Sequence, residues 1–227
     1  ATDVIITPTK EVSDYIFNLV KILKAYSKLD GKTKKEVSYI PLLVFNRAKQ
    51  ASLDMRLINP SLPIEKGQET KASRTADEVK RIYDLTEEEK GSQAIFIDTF
   101  QSSDSKGAYD AVDMALGQDF AEMLYPTAEG EGAKKRFNLY DEIKQLLIKK
   151  GIPENEIVII NDIPEKKREQ VFADVNSGKI RVLMGSTQKI GTGVNIQERL
   201  AGVHHLDAPP RPSDLEQRDG RIFSHGR

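Results

Sequence analysis

The chain reads as an α/β protein, a parallel sheet with helices on both faces preceded by a mainly helical lead-in. Two observations predict it. From residue 92 onward, short apolar runs of strand length alternate with helical patterns, the grammar of strands joined by helical crossovers. Before residue 92 the chain is polar and mainly helical in pattern. The predicted division is a lead-in over 1–91 and a sheet domain over 92–227, with an insert at about 101–137.

In the lead-in, Val12, Tyr15, Ile16, Leu19, Val20 and Leu23 fall on one face of an amphipathic helix. Thr7 and Pro8 before it suit a cap and a first turn. DGKTKKEVSYI (30–40) reads as a connecting loop, and LLVFNRAKQASLDMRLINP (42–60) suits helix or strand until Asn59-Pro60 ends it. A further helix is expected at about 70–84, where Ala72, Ala76, Val79, Ile82 and Tyr83 line up.

Four runs then read as buried strands: AIFI (94–97), IVII (157–160), IRVLM (180–184) and GVHHL (202–206). Between them lie a helix over 139–150 closed by Gly151 and another over 165–176 closed by Ser177-Gly178. The forty residues after the first strand are too many for an ordinary connection. Tyr109, Val112, Leu116, Phe120 and Met123 suggest one inserted helix stopping at Pro126, and TAEGEGAKKR (127–136) a mobile, solvated loop. Ligands of such sheets gather at the carboxyl ends of the strands, where the loops after Met184 and Leu206 fall.

Composition narrows the function classes. No apolar run approaches the ~20 residues of a membrane span, and ATDVIITPTK lacks the regions of a secretory signal. With no cysteine, disulfides and thiolate metal sites are excluded, which fits a cytoplasmic protein. A net charge of −1 means that any nucleic-acid contact comes from a local patch.

Two motifs carry the chemistry. In GSTQKIGTGVN (185–195), small residues after a buried strand let the backbone approach a ligand, and Ser186 and Thr187 offer hydroxyls and amides to a phosphate. A dinucleotide-binding reading fails, because Ile196 stands at the third glycine position of G-x-G-x-x-G. In PSDLEQRDGRI (212–222), Ser213 and Glu216 form a capping box, so a helix begins there. On it Gln217, Arg221 and Ser224 share one face. In IFIDTF (95–100), Asp98 and Thr99 either face nucleic acid or cap the strand. Three other features are set aside. Gly31-Lys32-Thr33 mimics the end of a phosphate loop but has Tyr26 at the leading glycine position and no strand before it. Adjacent His204 and His205 point to opposite faces of a strand and, with Asp207, make a poor metal site. Lys166, Lys167 and Arg168 suit a solvated helix start.

These motifs resemble motifs V and VI of superfamily-two helicases, most closely the Swi/Snf-type DNA translocases. Ser186, Thr187, Gly191, Gly193 and Asn195 meet the pattern S-T-x-x-x-G-x-G-x-N, and Gln217, Gly220, Arg221 and Gly226 fit Q-x-x-G-R-x-x-R-x-G. ASLDMRLINPSLP resembles the segment joining the two lobes, closest to phage- and plasmid-borne methylase–helicase proteins. The resemblance implies a carboxy-terminal RecA-like lobe. Ser186 and Thr187, with Asp98 and Thr99, would track the nucleic-acid backbone. Gly191, Gly193 and Asn195 would lie nearer the nucleotide, and Gln217, Arg218 and Arg221 would serve catalysis, with Arg221 as the arginine finger.

It further implies ATP, with Mg2+ held mainly by a first lobe outside these residues that bears the phosphate loop. Duplex DNA would be the track, and a DNA methylase a fused or associated partner. The whole motor would hydrolyse ATP, and these residues alone would not. Gln217 replaces the histidine common in DEAD-box motif VI, which favours DNA over RNA. The sequence departs from the pattern at Ser224, where the second arginine belongs. Serine lacks the cationic fork, so the other implied possibility is a non-catalytic binding module derived from such a lobe.

Overall fold

The computed structural model describes residues 5–65, 67–99, 106–126, 136–190 and 195–207. They fall into two compact units. One comprises Ala1–Glu69 with Phe100–Leu139, the other Thr70–Thr99 with Tyr140–Arg227.

The first unit is helical. Its helix α1 spans Lys10–Ser27 and buries Tyr15, Leu19 and Ile22. Val20 and Leu23, expected on the inner face, are exposed instead, because the stripe that packs follows the 15–19–22 spacing. The cap is Thr9, whose hydroxyl accepts from the Val12 amide at 3.4 Å, rather than the Thr7-Pro8 pair.

The stretch expected as a loop contains a short helix, α2 (Gly31–Glu36). The Asp30 carboxylate accepts from the amides of Lys32 (2.8 Å) and Thr33 (3.0 Å), and its other oxygen accepts from the Thr33 hydroxyl (2.6 Å). A capping aspartate therefore turns Gly31-Lys32-Thr33 into a helix start. The ambiguous run becomes α3 (Ile40–Leu53) and a single 3-10 turn at Met55–Leu57.

The expected inserted helix is two, α5 (Lys106–Leu116) and α6 (Gln118–Leu124), broken at Gly117 with φ 98°. Val112, Ala121 and Leu124 join Tyr15, Leu19, Ile22, Ile40 and Val44 in one apolar core. The Tyr15 hydroxyl, buried there, donates to the Leu124 carbonyl at 2.8 Å. Arg136 is the one residue of the 127–136 loop that is described; the rest lie outside the described residues.

The second unit holds the sheet. Helix α4 (Lys71–Leu85) starts at a reciprocal capping box, with the Thr70 hydroxyl accepting from the Ser73 amide (3.0 Å) and the Ser73 hydroxyl from the Thr70 amide (2.9 Å). It buries Ala72, Ala76, Val79 and Tyr83. After it come β1 (Ser92–Phe96), α7 (Leu139–Lys149), β2 (Ile157–Ile159) and α8 (Glu165–Asn176). The chain continues through β3 (Val182–Gly185), a one-turn helix α9 (Thr187–Ile190) and β4 (Leu200–His205). Helices α7 and α8 end as the glycines predict, with Gly151 at φ 89° and Gly178 at φ 81°.

Every strand pairing is parallel, in the order β2-β3-β1-β4. Central β1 is buried along its whole length, as the run of apolar residues requires. This is the α/β parallel sheet with helices that the sequence predicts, consistent with a RecA-like fold. Among the described residues no helix is long and apolar enough to cross a membrane.

Candidate nucleic-acid interface

The parallel register brings the ends of β1, β3 and β4 together, with Phe96 opposite both Gly185 and His205. The ladder runs one step past the strands. The Ile97 amide donates to the Gly185 carbonyl at 3.1 Å, and the Leu206 amide to the Phe96 carbonyl at 3.2 Å. Beyond that step side chains take over. Asp207, 6% exposed, accepts from the amides of Asp98 (3.0 Å) and Thr99 (3.1 Å) through one carboxylate oxygen. Asp98 in turn accepts from the Thr187 amide at 2.7 Å and from the Thr187 hydroxyl at 2.8 Å. The Asn161 side-chain carbonyl accepts from the Ser186 amide at 3.2 Å.

One polar relay thus joins the loops that follow three neighbouring strands. Tyr140, fully buried on α7, fixes the same edge by donating its hydroxyl to the Ile97 carbonyl. Gly185 lets the chain turn close to its neighbours: a Cβ there would lie 2.3 Å from the Ile160 side chain. The first turn of α4 brings Lys71 to the relay. Burial pushes the Lys71 ammonium below its ordinary pKa, and the Asp207 carboxylate pulls it back up.

The structure therefore brings together four of the sequence-predicted site residues: Asp98, Thr99, Ser186 and Thr187. Asp98 and Thr187 face each other. Thr187 gives both its amide and its hydroxyl to Asp98. Ser186 is half-buried, and among the described residues no side chain or carbonyl engages its hydroxyl. Asn195 is elsewhere: its carbonyl accepts from Asn176, the last residue of α8, at 2.8 Å. That places Asn195 toward the amino end of the sheet, away from Thr187. Gly191, Gly193, Gln217, Arg218, Arg221 and Ser224 lie outside the described residues.

Sequence reasoning missed the parts that hold the site. Asp207, Asn161, Tyr140 and Lys71 had no motif to mark them. For Asp207 a signal existed, an acid directly after the last strand at the ligand-gathering edge. His204 and His205 do occupy opposite faces. His204 Nε2 lies 2.9 Å from the Gln93 amide oxygen, whereas the His205 ring stacks on Phe96 with centroids 5.4 Å apart. Among the described residues no three His, Asp or Glu side chains gather as a metal site. A pocket lined by Leu85, Thr86, Gly91 and Arg199 opens at the other end of the sheet.

Residues 133–226 match the helicase conserved C-terminal domain. The match runs from just before α7 to the end of the arginine-bearing motif and includes Asn161, Ser186, Thr187 and Asp207. It supports a helicase C-terminal lobe and a nucleic-acid-related function. Strand β1 and helix α4 lie outside the matched residues yet complete the same compact unit. No curated protein and no solved structure gives a significant match to the chain.

Proposed function

We propose that this chain supplies the second motor lobe of an ATP-driven DNA helicase or translocase of the Swi/Snf-like branch of superfamily two. The observation that carries the reading is the Asp207–Asp98–Thr187 relay at the carboxyl edge of the sheet, within and beside the helicase-like residues. A phosphate oxygen needs donors that are not already used. Thr187 is committed to Asp98, so Ser186 is the residue that offers its hydroxyl to the nucleic-acid backbone, and Thr187 holds it in place. Asp98 and Thr99 act as the frame of that contact. A carboxylate facing a phosphate would repel it, and Asp98 avoids this by turning both oxygens onto Thr187.

ATP is the fuel, bound between this lobe and one that carries the phosphate loop and holds Mg2+. Gly191 and Gly193 belong on the nucleotide side of the loop, and Asn195, tied to Asn176 at the end of α8, is left out of that role. Gln217, Arg218 and Arg221 contribute from the last motif, Arg221 as the finger that stabilises charge developing on the transferred phosphoryl. Duplex DNA is the track, and a DNA methylase, fused or associated, is the partner that the likeness to methylase–helicase proteins suggests.

Steady-state ATPase of this lobe joined to its phosphate-loop lobe, with and without duplex DNA, tests the reading. Arg221→Ala should lower turnover by about 10³-fold or more while ATP affinity barely changes, because a finger acts in the transition state. Ser224→Arg should raise turnover. Ser224 also favours a second reading, a non-catalytic module that binds DNA without hydrolysis. DNA binding with no ATP turnover, and none gained in Ser224→Arg, would decide for it; turnover that ignores Arg221→Ala would overturn the finger assignment alone.

A further inference from the structure

We infer that the exposed lysine stripe running from α1 into α2 is a second surface for the nucleic-acid backbone, separate from the residues of the sheet edge. The inference rests on the nucleic-acid reading above. Residues 21–36 hold six lysines against only Asp30 and Glu36, in a chain whose net charge is −1.

The placement is not scattered. Lys21, Lys24 and Lys28 stand at i, i+3 and i+7, and Phe17 lies four residues before Lys21 on the same face. That face is opposite the buried Tyr15, Leu19 and Ile22. Over the seven residues from Lys21 to Lys28 the stripe extends about 10 Å, and Lys32 and Lys35 of α2 continue it as exposed side chains. Helix α2 is fastened to the end of α1, since the Lys34 ammonium donates to the Ser27 carbonyl at 2.7 Å. The cations therefore share a fixed framework.

What sets these lysines apart is their clustering. Several lysines elsewhere meet carboxylates, as Lys10 with Asp14 (2.5 Å), Lys80 with Asp84 (2.5 Å), Lys144 with Glu154 (2.9 Å) and Lys179 with Asp174 (3.3 Å). Among the described residues no carboxylate lies within ion-pair distance of Lys21, Lys24, Lys28, Lys32 or Lys35. Asp30, the nearest acid in sequence, is committed to capping α2.

The helix dipole accounts for a cation in the last turn of α1, such as Lys24. It accounts equally for Lys35 in the last turn of α2, but not for Lys21 or for Lys32 at the start of α2. Like charges three and four residues apart destabilise a helix by about 0.2–0.5 kcal/mol per pair, a cost that a bound polyanion reverses. Phe17, 61% exposed, lies under the Lys21 ammonium at 4.7 Å and adds a π-face on the same stripe. A membrane surface is the poorer fit, because an interfacial helix sinks a broad apolar face and here the cations occupy the stripe itself.

The test is fluorescence anisotropy of the 227-residue chain with a short DNA duplex across a salt series. Three proteins are compared: the unmodified chain, the combined variant Lys21→Gln, Lys24→Gln, Lys28→Gln, Lys32→Gln and Lys35→Gln, and Ser186→Ala. Glutamine has nearly the helix propensity of lysine, so the thermal melt should not fall. The five-lysine variant should bind roughly tenfold or more weakly, with a log–log salt slope flatter by about 2–4, near 0.9 for each phosphate no longer neutralised. Unchanged affinity and slope in that variant, with weakened binding in Ser186→Ala, would overturn the lysine surface and leave the sheet-edge reading standing. No DNA binding by the unmodified chain would end both. Binding of polyglutamate or anionic vesicles in preference to DNA, lost in the five-lysine variant, would overturn the choice of partner.

Discussion

The two ends of the parallel sheet use the same device with opposite charge. At the amino end one fully buried cation, Arg181, collects backbone carbonyls. Its Nε donates to Gly91 (3.1 Å), and one terminal nitrogen donates to Tyr83 (2.6 Å) and Thr86 (3.0 Å). The other terminal nitrogen pairs with Glu87, and the guanidinium lies over the Tyr83 ring at 3.7 Å. At the carboxyl end Asp207 and Asp98 collect backbone amides. The reason lies in the run of the chain. Helix α4 ends just before β1 begins, so its last carbonyls, which no helical turn satisfies, lie at the amino end and call for a donor. The loops that leave the strands at the carboxyl end present amides and call for an acceptor.

The difference teaches which end works. Around Arg181 the described donors find carbonyls, a carboxylate and a ring, and the arrangement closes on itself. Around Asp98 the relay ends on a loop whose neighbouring side chain, Ser186, is half-buried with no hydroxyl partner among the described residues.

The largest effect should come from breaking the amino end. Arg181→Met leaves the carbonyls of Tyr83 and Gly91 without their donor, while Thr86 keeps the Gly91 amide, and should cost about 3 kcal/mol or more of stability in urea unfolding. DNA affinity of the folded fraction should hardly change. A loss below about 1 kcal/mol would show that the end of α4 is held by packing alone.

Breaking the carboxyl end should do less to stability and more to binding. Asp207→Ala orphans the amides of Asp98 and Thr99, worth about 2 kcal/mol together if water reaches them partly, and frees the loop that presents Ser186. Asp207→Asn keeps an acceptor oxygen and should be milder on both measures. Equal loss of DNA binding in Arg181→Met and Asp207→Ala would erase the distinction between the ends.

The fold was legible where periodicity is long and local. The strands, α4, α7 and α8 follow from apolar runs and helix stops that depend on neighbours in sequence. The misreadings share one cause. Residues 31–36 became a helix because Asp30 caps it, and a cap competes well with a charged, loop-like composition. Val20 and Leu23 lie outside because the packing stripe can rotate within a helix that is apolar on more than half its circumference. Ser186 and Thr187 were legible as a motif, but their separate roles were not. Those roles depend on Asp98, 89 residues before Thr187, and through it on Asp207, 109 residues after Asp98. Pairings of that span leave no spacing in the sequence to read. Arg181 was hidden for the same reason, because its partners lie some ninety residues earlier.

A smaller effect comes from His204, near the end of the edge strand β4. Burial lowers the His204 pKa from 6.5 to about 4, with Glu78 opposing the shift and His205 adding to it. The folded state therefore holds His204 neutral while the unfolded chain takes up a proton. Stability should be at its plateau above pH 6.5 and should decline as pH falls from about 6.5 toward 4. His204→Gln should flatten that part of the Tm–pH curve, whereas Arg181→Met and Asp207→Ala should lower the curve without removing its slope. An unchanged slope in His204→Gln would place the titrating group elsewhere.

The most direct test of the two-ended account is an amide-resolved NMR titration of the chain with a short DNA duplex. The account predicts salt-dependent shifts at Ser186, Thr187, Asp98 and Thr99, and Ser186→Ala should diminish them. The amides of Gly91 and Ser92 and the Arg181 side-chain Nε–H should stay in place. Shifts centred on Gly91 and Arg181, with Ser186 and Thr187 unmoved, would contradict it.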